Sequence, residues 1–312
     1  MKPISSLRSR LATFAIVSAA IAMLATPSAA APRVVATTSD LGYLAAAIGG
    51  DLVIVETIVP PAADAEAFEP KPKDTEKVRS ADLIIRVGLG YDYWLDTLLA
   101  QTGNERLMRG GDAYVDASVG IPLLEVRGQD VQNDGGHSHG VANPHYWLDP
   151  QNAIIITAGI AEALIRILPD ERDRIVQNRE RFVQEIEHNI KRWTEITRPL
   201  AGAKLIAYHN TWPYFARRFR LDIVDFIEAK PGIAPSPAHL AKLASEAPLL
   251  GVRAILHEPY EPEDASRYLA KRLGIPMIVL ASSAGSLPGT NGYIALVDYD
   301  VARLVEALTP SR

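Results

Sequence analysis

Seven histidines and no cysteine set the chemistry open to this 312-residue chain. Without a thiol there is no disulfide, thiolate zinc site, cysteine nucleophile or lipid carried on an N-terminal cysteine, so any bound metal must be held by His, Asp and Glu. Two histidines stand where a ligand can be held stiffly. His145 lies in Asn143-Pro144-His145-Tyr146-Trp147-Leu148-Asp149-Pro150, a proline-bounded segment just ahead of an expected helix, where ordering a side chain costs little. His209, in Ala207-Tyr208-His209-Asn210-Thr211-Trp212, follows an expected strand, and ligands in open α/β sheets gather at the carboxyl ends of strands. The competing explanations are a histidine satisfied within the structure at 145 and a helix-capping histidine at 209.

The remaining histidines divide by setting. His137 and His139 form a His-x-His pair in a glycine-rich loop, which can touch a metal transiently but lacks the rigidity of a selective site. His188 falls on a long helical stretch and reads as surface or packing, His239 near a helix start reads as surface, and His257 precedes Glu258 at the end of a strand, a place topologically equivalent to His209. In the first half, Pro60-Pro61-Ala62-Ala63-Asp64-Ala65-Glu66-Ala67-Phe68-Glu69-Pro70 is a proline-framed loop whose carboxylates read either as ligands or as plain surface charge.

The elements that must position these residues alternate. Strands are expected at Val34 to Ala36, Leu52 to Val59 and Asp82 to Val87, with helices opening at Thr37-Thr38-Ser39-Asp40 and covering Lys73 to Arg79 and Tyr93 to Gln101. A further helix runs from Pro150 to about Ile167. From Pro169 to Pro199 apolar residues recur three or four apart, at Ile175, Phe182, Ile186, Ile190, Trp193 and Ile196, which predicts one long helix acting as a rigid connector. The alternation then restarts with strands at Leu205 to Ala207, Ile223 to Ile227, Ala254 to Leu256 and Met277 to Leu280. Helices are expected near Tyr214 to Phe219, Ala238 to Ala247, Pro262 to Leu273 and Tyr293 to Leu308. Strand and helix in turn argue for parallel sheets, so the chain is read as two similar α/β lobes, residues 31–168 and 200–312, joined by the helix 169–199.

Charge and the first thirty residues bound the setting. The formal charge is −5, and the first thirty residues carry three cations and no acid, which leaves −8 for the rest and argues against a nucleic-acid partner. Met1 to Arg10 is polar and basic, Leu11 to Leu24 is apolar, and Ser28-Ala29-Ala30 supplies small residues, the layout of a secretory signal peptide over residues 1–30. The apolar run of about 14 residues falls short of the roughly 20 that a spanning helix needs. With no cysteine to carry a lipid, the expected compartment is a bacterial periplasm after cleavage of the signal peptide.

Four pieces in this order around a long helix carry a resemblance: Val59-Pro60-Pro61 through Glu69-Pro70-Lys71-Pro72-Lys73-Asp74, Gly88-Leu89-Gly90 with Trp94-Leu95, Asn143-Pro144-His145 through Pro150, and Tyr208-His209-Asn210-Thr211-Trp212 with Tyr214-Phe215. The chain resembles the periplasmic solute-binding proteins of metal-ion ABC transporters, the zinc and manganese receptors whose two lobes are bridged by one helix. The resemblance implies a metal held between the lobes by four side chains, with His145 second and His209 third. It departs at the first position, where the family's histidine is Glu66, and at the fourth, where the family's aspartate falls in Ala281-Ser282-Ser283-Ala284-Gly285. Glu258 is the nearest anionic substitute, Asp298 an outsider, and water the rival, so the expected set is Glu66, His145, His209 and Glu258. A carboxylate in place of imidazole makes the site harder, which suits manganese or ferrous iron relatively better than an all-imidazole site would.

The expected function is non-enzymatic: a monomer that captures zinc, manganese or ferrous iron as cargo, with no cofactor, and delivers it to an ABC permease in the inner membrane. A metal-dependent hydrolase is the alternative from another class, opposed by the absence of a His-Glu-x-x-His helix and of a Gly-x-Ser-x-Gly elbow. A metal-binding, adhesin-like surface protein is the third.

Overall fold

The computed structural model describes residues 30–126, 141–230 and 232–309. Residues 1–29 of the expected targeting segment and the His137/His139 pair lie outside the described residues.

The first sheet is parallel, with β1 (Arg33–Ala36), β2 (Ile54–Thr57), β3 (Leu83–Arg86) and β4 (Tyr114–Asp116) in the order β2-β1-β3-β4. Its central strands are apolar at successive positions, Val34 to Ala36 and Leu83 to Ile85, because a parallel sheet covered on both faces buries every residue. The edge strand β2 is exposed or half-buried along its length and carries Glu56 and Thr57. The crossovers hold α1 (Ser39–Gly49), α2 (Pro72–Arg79) and α3 (Trp94–Thr102). Next come α4 (Pro150–Ile167), with Asp149 accepting from Gln151 N–H at 3.0 Å as its cap, and α5 (Arg172–Thr197).

The second sheet repeats the plan with β5 (Lys204–Ala207), β6 (Asp222–Phe226), β7 (Val252–His257) and β8 (Met277–Val279), parallel in the order β6-β5-β7-β8. Its helices are α6 (Pro213–Phe219), α7 (Pro237–Leu250), α8 (Glu263–Leu273) and the closing α9 (Tyr293–Leu308). The expectation of two similar α/β lobes and a long helix is thus borne out. In each sheet the strand order reverses beside the first strand, so the loops after β1 and β3, and after β5 and β7, flank a crevice at the carboxyl ends of the strands.

At about 1.5 Å per residue the 26 residues of α5 reach roughly 39 Å. The helix starts at Arg172 rather than Pro169, because Pro169–Glu171 winds as a tighter 3₁₀ turn, and Arg198–Leu200 forms another at the far end. Its buried residues Ile175, Phe182, Ile186 and Trp193 make one stripe, and this stripe belongs to a single apolar cluster that includes Val35 and Leu83 of the first sheet and Leu205 and Leu256 of the second. The helix is therefore packed along its length, against α1, α4 and α9, and is no free-standing rod. Truncating a fully buried tryptophan such as Trp193 would cost about 3–5 kcal/mol. A smaller cluster under α7 and α8, including Ile206, Tyr208, Leu243 and Leu269, covers the other face of the second sheet.

Polar contacts between the halves surround the segment where the resemblance places a fourth ligand. Asp40 at the start of α1 accepts from Ser283 Oγ at 2.5 Å and from Ala284 N–H at 2.8 Å, and Ser39 Oγ donates to the Ala284 carbonyl at 2.7 Å. Trp147 Nε1–H donates to the Ser282 carbonyl at 3.0 Å. No helix among the described residues is long and apolar enough to cross a membrane.

Candidate metal centre

Glu66, His145 and His209 come from three separate segments, yet each offers a ligand atom within 4.8 Å of the others'. Each is held by contacts of its own segment. Backbone pairing of the first sheet runs past β2, with Ile58 and Val59 N–H donating to the Ala36 and Thr37 carbonyls, both at 3.0 Å. The loop beyond is pinned where Trp94 Nε1–H donates to the Ala65 carbonyl at 3.0 Å, and the Glu66 N–H is turned onto Asp64 Oδ1 at 2.8 Å. Glu66 is thereby aimed inward, its side chain 13% exposed, while Glu69 three residues on is exposed.

His145 is 2% exposed and boxed by Tyr91 and Trp147, with ring centroids 5.3 Å away on either side. Asn143 Oδ1 lies 3.0 Å from the His145 backbone N–H and 3.2 Å from its ring Nδ1. Nε2 consequently faces Glu66, whose Oε1 is 3.5 Å away. His209 leaves the carboxyl end of β5, and its ring centroid stands 5.7 Å from that of His145. Its Nδ1 is hydrogen-bonded to Glu228, which puts Nε2 on the side away from that carboxylate.

These side chains line a cavity of about 100 Å³ together with Asp64, Ala67, Glu228, Gly232, Tyr260 and Glu261. Pockets for small organic ligands run to roughly 300–1,000 Å³, so this one has the size for an ion and a few waters. Its electrostatics fit a cation. Burial pushes the Glu66 carboxyl up to about 7, against the opposing pull of His209 and with help from Asp64 and Glu228. Burial pushes Glu261 up to about 8, aided by the charges of Glu258 and Glu228. His209 is driven the other way by burial, but its hydrogen bond to Glu228 and the charges of Glu66 and Glu258 outweigh this and raise it to about 9. Carboxylates and imidazoles that hold protons for want of positive charge are the surroundings a divalent cation would stabilise.

The other candidates fall elsewhere. Glu258 is fully buried but does not line the cavity; its Oε1 accepts from Trp212 Nε1–H at 2.6 Å. Asp298 on α9 accepts from Arg192 and from Trp193 Nε1–H at 2.7 Å, which ties it to the long helix and away from the trio. The segment 281–285 contributes no acid, and Ser283 and Ala284 face Asp40. His188 is exposed, His239 is half-buried with Nε2 2.9 Å from the Phe226 carbonyl, and His257 is buried against Ser266 Oγ at 2.9 Å. Sequence reasoning missed Glu228, Tyr260 and Glu261, and left Asp64 undecided among the carboxylates of its loop. The signal for Glu228 was there, since it follows β6, the neighbour of β5, and the strand-end rule that singles out His209 applies to it equally.

Comparison with known proteins adds independent findings. A family model described as the periplasmic zinc-uptake complex component A, ZnuA, matches residues 34–307. A high-affinity zinc uptake system protein ZnuA from Yersinia pestis is 25% identical over 237 residues, covering 72% of this chain and 74% of that protein. An iron ABC transporter substrate-binding lipoprotein, MtsA, from Streptococcus pyogenes serotype M1 is 25% identical over 285 residues and 88% of each chain. A crystal structure of ZnuA superposes with a TM-score of 0.76 at 26% identity, covering 89% of this chain and all of that one.

Proposed function

The chain belongs to the periplasmic zinc-uptake component A family, and on that premise we propose that it captures one divalent transition metal ion, zinc, manganese or ferrous iron, outside the cytoplasm and delivers it to an ABC-type permease. The carrying observation is the convergence of Glu66, His145 and His209 within 4.8 Å at a cavity of ion size. Imidazole nitrogen and carboxylate oxygen suit all three metals, and bonds of about 2.0–2.2 Å to each donor need only small side-chain adjustments within that spacing. With Glu258 turned to Trp212, water takes the remaining coordination position. The metal is cargo, no bond is made or broken, and the chain is not an enzyme. Residues 1–30 act as a cleaved signal peptide, and the mature chain works as a monomer of two lobes, 31–168 and 200–312, on the helix 169–199. Because Glu66 and His145 come from one half and His209 from the other, moving the His209 loop dismantles the site and gives the permease a way to release the ion.

Two measurements test this. Purified protein should bind zinc and manganese with one ion per chain, and His209→Ala should abolish tight binding with an unchanged circular dichroism spectrum. Cells lacking the protein should lose high-affinity metal uptake and regain it with wild type but not with His145→Ala. Stoichiometric binding without any uptake defect would refute the delivery role, and absence of binding would refute the whole reading.

A further inference from the structure

Glu228 is 7% exposed at its side chain, and both its oxygens are engaged. Oε2 meets His209 Nδ1, and Oε1 accepts from the Gly232 N–H at 2.6 Å. The backbone makes this meeting obligatory. Pairing between β5 and β6 continues beyond their ends, where Ile227 N–H donates to the Ala207 carbonyl and Glu228 N–H to the Tyr208 carbonyl, both at 2.9 Å. His209 and Glu228 therefore leave the same sheet edge side by side. The turn beyond closes with Ile233 N–H on the Lys230 carbonyl at 3.0 Å, and Gly232 borders the cavity.

We propose that Glu228 is a positioning residue of the metal centre, which fixes His209 with its proton on Nδ1 and Nε2 toward the cation, and which ties the backbone at Gly232 to the same imidazole. This rests on the metal-receptor reading above. A neutral imidazole carries one proton. With that proton on Nδ1, shared with the carboxylate, the Nε2 lone pair points away from Glu228; with it on Nε2, the carboxylate would face a lone pair and repel it. His145 is held in the same way, but by the neutral Asn143 amide. At His209 the acceptor facing the ring Nδ1 is an anionic carboxylate, and such an acceptor makes the ring a stronger metal donor. Because Oε1 holds the turn, loading His209 also stiffens one wall of the cavity.

The experiment uses the full mature chain with zinc and manganese as probes. Ring ¹⁵N resonances of His209 in the zinc-loaded wild type should show a protonated Nδ1 and a metal-bound Nε2, a readout that needs no variant to fold. Glu228→Gln is isosteric and still offers an acceptor to Gly232 N–H; it should weaken both metals about 10–100-fold in chelator competition. Glu228→Ala should weaken them at least as much and lose the fixed Nδ1–H signal. Metal on Nδ1 of His209 would overturn the proposal. So would variants that bind within about threefold of wild type, or an Ala variant that loses affinity with its tautomer unchanged, which would make Glu228 a prop for the turn only. If the wild type binds neither metal, the metal-receptor reading falls and this proposal with it; wild-type binding with unmoved variants removes the role of Glu228 alone.

Discussion

Replacing Glu66 by alanine removes the one anionic member of the trio and is the sharpest test of the site. Its side chain is 13% exposed and its Oε1 stands 3.5 Å from His145 Nε2, so a cation between them would be a buried partner of the carboxylate. Removing one partner of a buried charge pair costs about 3–5 kcal/mol. Against this stands the proton that Glu66 must give up first: with its pKa near 7 the carboxyl is half protonated at pH 7, a cost of only about 0.4 kcal/mol. The net loss of roughly 2.5–4.5 kcal/mol corresponds to a rise in Kd of about 10²–10³. Glu69, exposed on the same loop, should change Kd by less than about twofold as Glu69→Ala. Glu66→His should leave binding intact and raise the ratio of the manganese to the zinc dissociation constant by about tenfold, because imidazole favours the softer ion. Competition against a chromophoric chelator at pH 7 reads all three, with circular dichroism as the check on folding. An alanine variant within about threefold of wild type, or a ratio unmoved in Glu66→His, would place the first-half ligand elsewhere.

Other outcomes follow from the same geometry. Glu258→Gln keeps an acceptor for Trp212 Nε1–H and should leave zinc and manganese affinity within about threefold, whereas Trp212→Phe strands a buried carboxylate oxygen and should lower stability in urea by about 1–3 kcal/mol. A cation on His209 must displace the proton held there up to about pH 9, so titrations between pH 6 and 9 should show affinity rising about tenfold per pH unit, and more steeply below about pH 7 where Glu66 is protonated too. Burial raises Asp40 to about 6 despite its hydrogen bonds from Ser283 and Ala284, so its contribution to stability is complete below about pH 4 and is lost as pH rises through 6. The two-unit shift amounts to about 3 kcal/mol, and Asp40→Asn, which still accepts from Ala284 N–H, should flatten the pH 4–6 slope of urea stability.

The alternation of strands and helices was legible because the central strands carry apolar runs, Val34–Ala36, Leu83–Ile85, Leu205–Ala207 and Ala254–Leu256, and several helices, α2, α4, α6 and α7, open on a proline. Tyr114–Asp116 was not: three residues ending in an acid give no period to read, and the strand exists because β3 offers it the edge formed by Ile84 through Arg86. The long helix was legible as a stripe and as a connector, yet its packing partners were not. Apolar residues at 175, 182, 186 and 193 say that one face is covered, but only the fold shows that α1, α4 and α9 cover it and that both sheets share the resulting core.

At the site, His145 and His209 were readable from local chemistry, since a proline frame and a strand end are sequence-local facts. Glu66 was readable only by position within a family pattern, because a glutamate in a polar loop looks the same in sequence whether it faces a cavity or water. Glu228 and Glu261 were hidden for the same reason, and Asp64 was left undecided by it. The Trp94 anchor on Ala65 separates Asp64 and Glu66 from Glu69, the continued β5–β6 pairing places Glu228, and both join residues at least 19 positions apart.

The lining that emerges departs from an imidazole-rich zinc site in a definite direction. Four carboxylates, Asp64, Glu66, Glu228 and Glu261, surround two imidazoles. Burial and the neighbouring carboxylates raise Glu66 to about 7 and Glu261 to about 8, so both carry protons near neutrality and lessen the negative charge the fold has to bear. A cation entering here would expel those protons, so loading would be an exchange of protons for metal with a driving force that grows with pH. Glu66 and water as oxygen donors harden the site, moving the balance toward manganese and ferrous iron relative to a three-histidine centre. They do not reverse the general order in which zinc binds more tightly than either, so the metal carried in the cell depends on supply as well as on these side chains.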